Sequence, residues 1–123
     1  MKDPSNPICR TISTLLSRIG DKWTVLVVET LGQGPKRFNE LRREIPSVSQ
    51  RMLTLTLRNL ERDGIVSRKV TPTIPPRVDY ALTDLGRSLH GPVGALSQWA
   101  LDHVEAIHSA QAQFDSAREE QAA

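Results

Sequence analysis

The stretch "FNELRREIPSVSQRMLTLTLRNLERDG", Phe38 to Gly64, constrains the fold of this chain more than any other. Phe38, Leu41 and Ile45 recur at helical spacing, and Pro46 cannot continue that helix, because its ring blocks the preceding turn and it lacks an N–H. Three residues later Ser49 is suited to cap a new helix. Val48 and Leu53 stand at the N′ and N4 positions of a hydrophobic staple, although Met52 at N3 leaves a capping box incomplete. Leu53, Leu57 and Leu60 form one inward stripe, and Gly64 supplies a left-handed stop. Two helices joined so tightly must share one core, which is a helix-turn-helix.

The flanking segments complete the expected fold. Residues 1–8 hold two prolines and no period, so they read as a flexible N-terminal arm. From Cys9 the pattern is helical through Ile12, Leu15, Leu16 and Ile19 to Gly20. Asp21 caps a second helix, with Trp23, Leu26, Val27 and Leu31 apolar before Gly32 and Gly34 end it. After Gly64 the period falls to two. Ile65 to Thr71 and Arg77 to Leu82 read as strands, and Pro72, Pro75 and Pro76 hold the connection between them away from the sheet. A hairpin directly behind a helix-turn-helix is a wing, so the fold class is mainly α with a small β-hairpin, a winged helix-turn-helix.

Thr83 caps a last long helix whose stripe runs Leu85, Leu89, Val93, Leu96, Ala100, Val104 and Ile107, with a kink expected at Pro92. Residues 9–107 form the domain, and a polar tail, 108–123, is expected to fray. A chain of 123 residues suits one modest core, which cannot easily cover so long a stripe. We therefore expect a homodimer through the first and last helices, using Ile12, Leu15, Leu89, Val93, Leu96, Trp99, Ala100, Val104 and Ile107. The alternative is that the first helix folds back on the last within one chain.

The net charge of +2 conceals a segregation. Gly34 to Asp79 carries ten Lys/Arg against five Asp/Glu, whereas Tyr80 onward carries two against six. A basic middle fits an anionic partner, and double-stranded DNA is the partner expected here. The outer face of the opening stretch supplies Gln50, Arg51, Thr54 and Arg58, the small polar and long basic side chains that can enter a major groove. Arg51 is the candidate for a base contact, since a guanidinium can pair with both acceptors of guanine. Lys36, Ser47 and Ser49 are placed for phosphates, Arg37 is a further candidate DNA contact, and Lys69 and Arg77 on the wing suit the minor groove or its flanking phosphates.

The segments "IGDKW", "GPKRFNELRREIP", "SQRMLTLTLRNLERDGIV" and "PPRVDYALTDLGRSL" closely resemble the HxlR-type winged helix-turn-helix transcriptional regulators, over roughly residues 9–107. That resemblance implies a homodimeric DNA-binding repressor or activator, repression being the commoner mode, on an inverted-repeat operator. It also implies a sensing role for Cys9, because many members carry a cysteine at that position and some respond through it to oxidants or electrophiles. Two departures stand out: Arg10 follows Cys9 where the family often has proline, and Leu55-Thr56 stands where it often has Gln-Arg.

Cys9 is the sole cysteine, so any disulfide must join two subunits or a small thiol. A helix N-terminus beside Arg10 would favour its reactive thiolate, and packing as a small hydrophobe in an interface is the plainer role. His90, His103 and His108 do not converge as metal ligands, and "GQGP" lacks the Lys-Ser/Thr of a phosphate loop. Trp23, Tyr80 and Trp99 read as core aromatics, with a ligand pocket between them near the dimer interface as the alternative. We expect no metal, no cofactor and no catalysis. With no apolar run near the roughly 18 residues of a membrane span and no leader, a cytoplasmic protein is expected. The competing expectation is a winged-helix module that senses a small molecule or binds a protein, without operator specificity; a small-molecule or electrophile inducer is compatible with either.

Overall fold

The structure, a computed structural model, describes residues 5–122. Residues 1–4 of the expected arm, and Ala123 of the expected tail, lie outside the described residues. Helix α1 spans Pro7–Ile19 and starts two residues before the expected Cys9. The reason is local: the Asn6 side chain accepts from the Ile8 N–H at 2.9 Å, and Pro7 occupies the first helical position, where its missing N–H costs nothing. Helix α2, Lys22–Leu31, is capped by Asp21, whose carboxylate accepts from the Trp23 N–H at 2.9 Å.

A short strand β1, Lys36–Arg37, leads into α3, Phe38–Glu44, and α4 follows at Gln50–Arg62. Strands β2, Val66–Thr71, and β3, Arg77–Leu82, form the expected antiparallel hairpin, with Val66 opposite Leu82 and Thr71 opposite Arg77. β1 adds to the far edge of β3, so the sheet has three strands in the order β1-β3-β2. That third strand ties the entry of α3 to the base of the wing.

The core holds Val27, Val28 and Leu31 of α2, Leu41 of α3, Leu53, Leu57 and Leu60 of α4, and Val66 and Leu82 of the sheet. Trp23 and Tyr80 pack partly buried against it. Burying each such side chain stabilises the fold by about 1.5–3 kcal/mol, which the loss of backbone and side-chain freedom largely offsets.

Helix α5 spans Asp84–Ala122. Thr83 caps it, its Oγ1 accepting from the Gly86 N–H at 3.0 Å while the hydroxyl donates to the Gly64 carbonyl at 2.5 Å and the Thr83 N–H to the Ile65 carbonyl at 3.0 Å. Gly86 is required there, because a Cβ would lie 2.1 Å from the Ile65 oxygen. Past Ser109 the chain is helical to Ala122, in keeping with Ala, Gln, Glu and Arg as strong helix formers.

The chain divides after Val93 into two units. In the first, Val93 belongs to the core and Leu89 packs against it, so these two members of the expected dimer set are covered within their own chain. In the second, Leu96, Trp99, Val104, Ile107 and Phe114 are all exposed. Trp99 is thus not a core aromatic; its ring stacks on His103 at 4.6 Å, one turn along the same helix. Among the described residues no helix is long and apolar enough to cross a membrane.

Candidate nucleic-acid interface

Helix α4 is fixed at both ends and along its inner side. The Ser49 Oγ accepts from the Met52 N–H at 3.0 Å, satisfying one of the first-turn donors. Val48 and Leu53 are both buried as the staple requires. At the other end Gly64 adopts φ 76°, which lets its N–H reach the Glu61 carbonyl at 3.0 Å and the Ile65 N–H reach Leu60 at 2.9 Å. Between these ends Leu53, Leu57 and Leu60 are buried, and Thr56 lies with them. Of the Leu55-Thr56 pair, only Leu55 is available to a partner.

With its inner stripe locked, the helix cannot rotate without exposing three leucines. Gln50, Arg51, Thr54 and Arg58 therefore face outward, and all four are exposed. Together with Leu55 they line a shallow hollow of about 570 Å³. Among the described residues neither Arg51 nor Arg58 forms a salt bridge, so both guanidiniums are available to an incoming anion. Thr54 donates its hydroxyl to the Gln50 carbonyl at 2.8 Å. Ser47 and Ser49 are exposed in the turn that precedes this face.

A second hollow of about 780 Å³ lies between the start of α3 and the tip of the wing. Arg37, Asn39 and Arg43 line one side, and Thr73 to Val78 the other. Arg37 is exposed, while its backbone N–H donates to Glu40 Oε1 at 2.9 Å. The β2/β3 register places Lys69 opposite Asp79 and Val70 opposite Val78, so Lys69 and Arg77 share the face away from the valines, as the alternation predicts. Arg77 is partly neutralised there by Asp79, with Nε 3.0 Å from the carboxylate.

Lys36 differs from its expected setting. Its ammonium lies 3.0 Å from the Glu44 carboxylate, and its side chain is only 16% exposed, so a phosphate would have to displace an existing partner. This pairing joins β1 to the end of α3, eight residues apart, and no local spacing announces it. Sequence reasoning also passed over Arg43 and Asn39, which have no periodic signature, and Phe114, which continues the apolar face of α5 one turn and more beyond Ile107.

Cys9 is half-buried in the first turn of α1, as is Ile12, whereas Leu15 and Leu16 are exposed on the same helix. Arg18, in the last turn of α1, is tied to Asp63 at the end of α4. Beside that ion pair lies a pocket of about 300 Å³, whose apolar walls include Leu15, Ile19, Ile65 and Leu85.

The sequence matches the HxlR-like helix-turn-helix family over residues 18–108. A protein of Methanothermobacter thermautotrophicus named as an uncharacterized HTH-type transcriptional regulator is 46% identical over 89 residues, covering 72% of this chain and 68% of its own. The solved structure of the redox regulator HypR in its reduced form has a TM-score of 0.75 at 43% identity, covering 80% of this chain and 98% of that one. The structure of diamide-treated YodB from Bacillus subtilis has a TM-score of 0.67 at 36% identity, covering 79% and 96%.

Proposed function

The chain belongs to the HxlR-like helix-turn-helix family, and from that premise we propose that it is a sequence-specific DNA-binding transcriptional regulator that occupies an inverted-repeat operator as a homodimer and acts as a repressor. The observation that carries this reading is the outer face of α4, where Gln50, Arg51, Thr54 and Arg58 stand exposed above a stripe of buried leucines. Arg51 reads guanine, Gln50 and Thr54 lie beside it near the helix N-terminus, and Arg58 reaches the backbone. Ser47, Ser49 and Arg37 hold phosphates, and Lys69 and Arg77 address the flank of the minor groove. Lys36 contributes least, because Glu44 already neutralises it. The named regulators among its relatives support the same reading.

The homodimer rests on the exposed apolar side chains of α1 and of the distal half of α5. Leu15, Leu96, Trp99 and Ile107 face water in the single chain, at a cost of roughly 25 cal/mol per Å² of apolar surface. A second copy covering these side chains, with Ala100, Val104 and Ile12, relieves the cost. Two-fold symmetry then sets half-sites about 10–10.5 bp apart, centre to centre, or a multiple of that.

The test is a gel shift with the duplex upstream of the protein's own gene, competed by unlabelled scrambled duplex. A retained complex of dimer stoichiometry supports the reading. Equal competition by both duplexes would favour a winged-helix module that binds a protein or a small molecule without operator specificity.

A second reading concerns the signal. Cys9 in the first turn of α1, together with the likeness to HypR and YodB, supports an oxidant or electrophile as inducer. Oxidation would join two Cys9 thiols, or Cys9 and a small thiol, in a disulfide, passing two electrons and two protons to the oxidant. Diamide should then lower operator affinity in the wild type and leave Cys9→Ser unaffected; equal responses would remove the idea. The apolar pocket beside the Arg18–Asp63 pair is the place for a small-molecule inducer instead.

A further inference from the structure

Leu55 is 49% exposed at the middle of the outer face of α4. It stands one turn after Arg51 and one turn before Arg58, and shares their hollow. The core makes no demand on it, because Leu53, Leu57 and Leu60 already fill the space beneath the helix. Its neighbour Thr54 has its hydroxyl proton committed to the Gln50 carbonyl, which leaves a methyl and no free donor. The centre of an otherwise polar, cationic face is therefore apolar.

The major groove offers one methyl group, the C5 methyl of thymine; the other edges present hydrogen-bond donors and acceptors and, at cytosine, a C5–H too small to cover a leucine. A leucine pressed against a donor or acceptor would desolvate it without replacing the lost bond, which is unfavourable. The same side chain against a methyl buries apolar surface on both sides. Flanking arginines hold the helix on the anionic duplex and bring Leu55 to the base edges. We infer that Leu55 is a specificity-determining residue that selects a thymine in each half-site through its methyl group. This rests on the operator reading above and adds to it a base that no hydrogen bond specifies.

The test starts from a random-sequence duplex pool, selected separately with the wild type, Leu55→Ala and Leu55→Gln. The side chain is exposed, so both variants should keep the wild-type melting temperature, and a melt checks this. The wild type should enrich one thymine per half-site, and replacing it with deoxyuridine in one half-site should weaken binding roughly four-fold, the value of one buried methyl. In both variants that replacement should have no effect, while dependence on the guanine read by Arg51 persists. Enriched sites without a methyl-dependent thymine, or a deoxyuridine penalty that survives in Leu55→Ala, overturn this inference and leave the operator reading standing. A pool that does not enrich at all overturns both.

Discussion

Helix α4 and the distal half of α5 carry the same apolar spacing of three and four, yet they meet opposite fates. In α4 Leu53, Leu57 and Leu60 are buried in their own chain, and apart from Leu55 and Met52 what faces water is cationic and polar. From Gly94 onward the apolar residues themselves face water, Leu96 at 61% and Trp99 at 54% exposure. The difference teaches that hydrophobic spacing identifies a buried face but not its partner. An amphipathic helix satisfied within its domain leaves its polar side for a charged ligand, and one left unsatisfied leaves apolar surface that, on the proposed reading, a second copy covers.

Five variants test that contrast. Leu57→Ala removes a core side chain from α4 and should destabilise the domain by about 2–5 kcal/mol in urea unfolding, with DNA binding lost only as the domain unfolds. Leu96→Glu with Ile107→Glu should do the reverse. Sedimentation should show a monomer in place of a dimer, and operator affinity should drop by an order of magnitude or more, because two half-sites no longer act together. Arg51→Ala should leave the melting temperature unchanged and weaken operator binding by about 1–3 kcal/mol, relaxing one base position. Ser49→Ala, which deletes the cap of α4, should cost about 1 kcal/mol of stability. The smallest effect belongs to Lys36→Ala. Its ion pair with half-exposed Glu44 is worth under about 1 kcal/mol, and since Glu44 occupies the ammonium its removal should scarcely change the salt dependence of binding.

Much of the fold was legible because punctuation and period agree. Asp21, Ser49, Gly64 and Thr83 mark helix ends by chemistry that acts over three or four residues, and each makes the cap or turn its type predicts. Strand β1 was not legible, since two residues have no period and its pairing with Tyr80 and Asp79 spans more than forty positions. The start of α1 was misplaced because Pro7 reads as a breaker unless Asn6 is seen to cap it. Val93 fits the spacing of the interface stripe but its own core claims it, while Phe114 lies in a polar segment yet extends the apolar face of α5. In the candidate site, residue types on α4 could be read from spacing. Lys36 could not, because its partner Glu44 is brought to it by the β1–α3 corner and not by the helix period.

The central claim is that the exposed face of α4 reads a sequence and does more than attract charge. It is tested most directly by fluorescence anisotropy with the duplex upstream of the protein's own gene and a scrambled duplex of the same composition, for wild type and Arg51→Ala, across a series of salt concentrations. The account predicts that the wild type binds the upstream duplex about a thousand-fold or more tighter than the scrambled one at physiological salt, and that Arg51→Ala loses most of its share of that ratio while still binding both. Equal affinity for the two duplexes at every salt concentration, with Arg51→Ala indistinguishable from wild type, would contradict it.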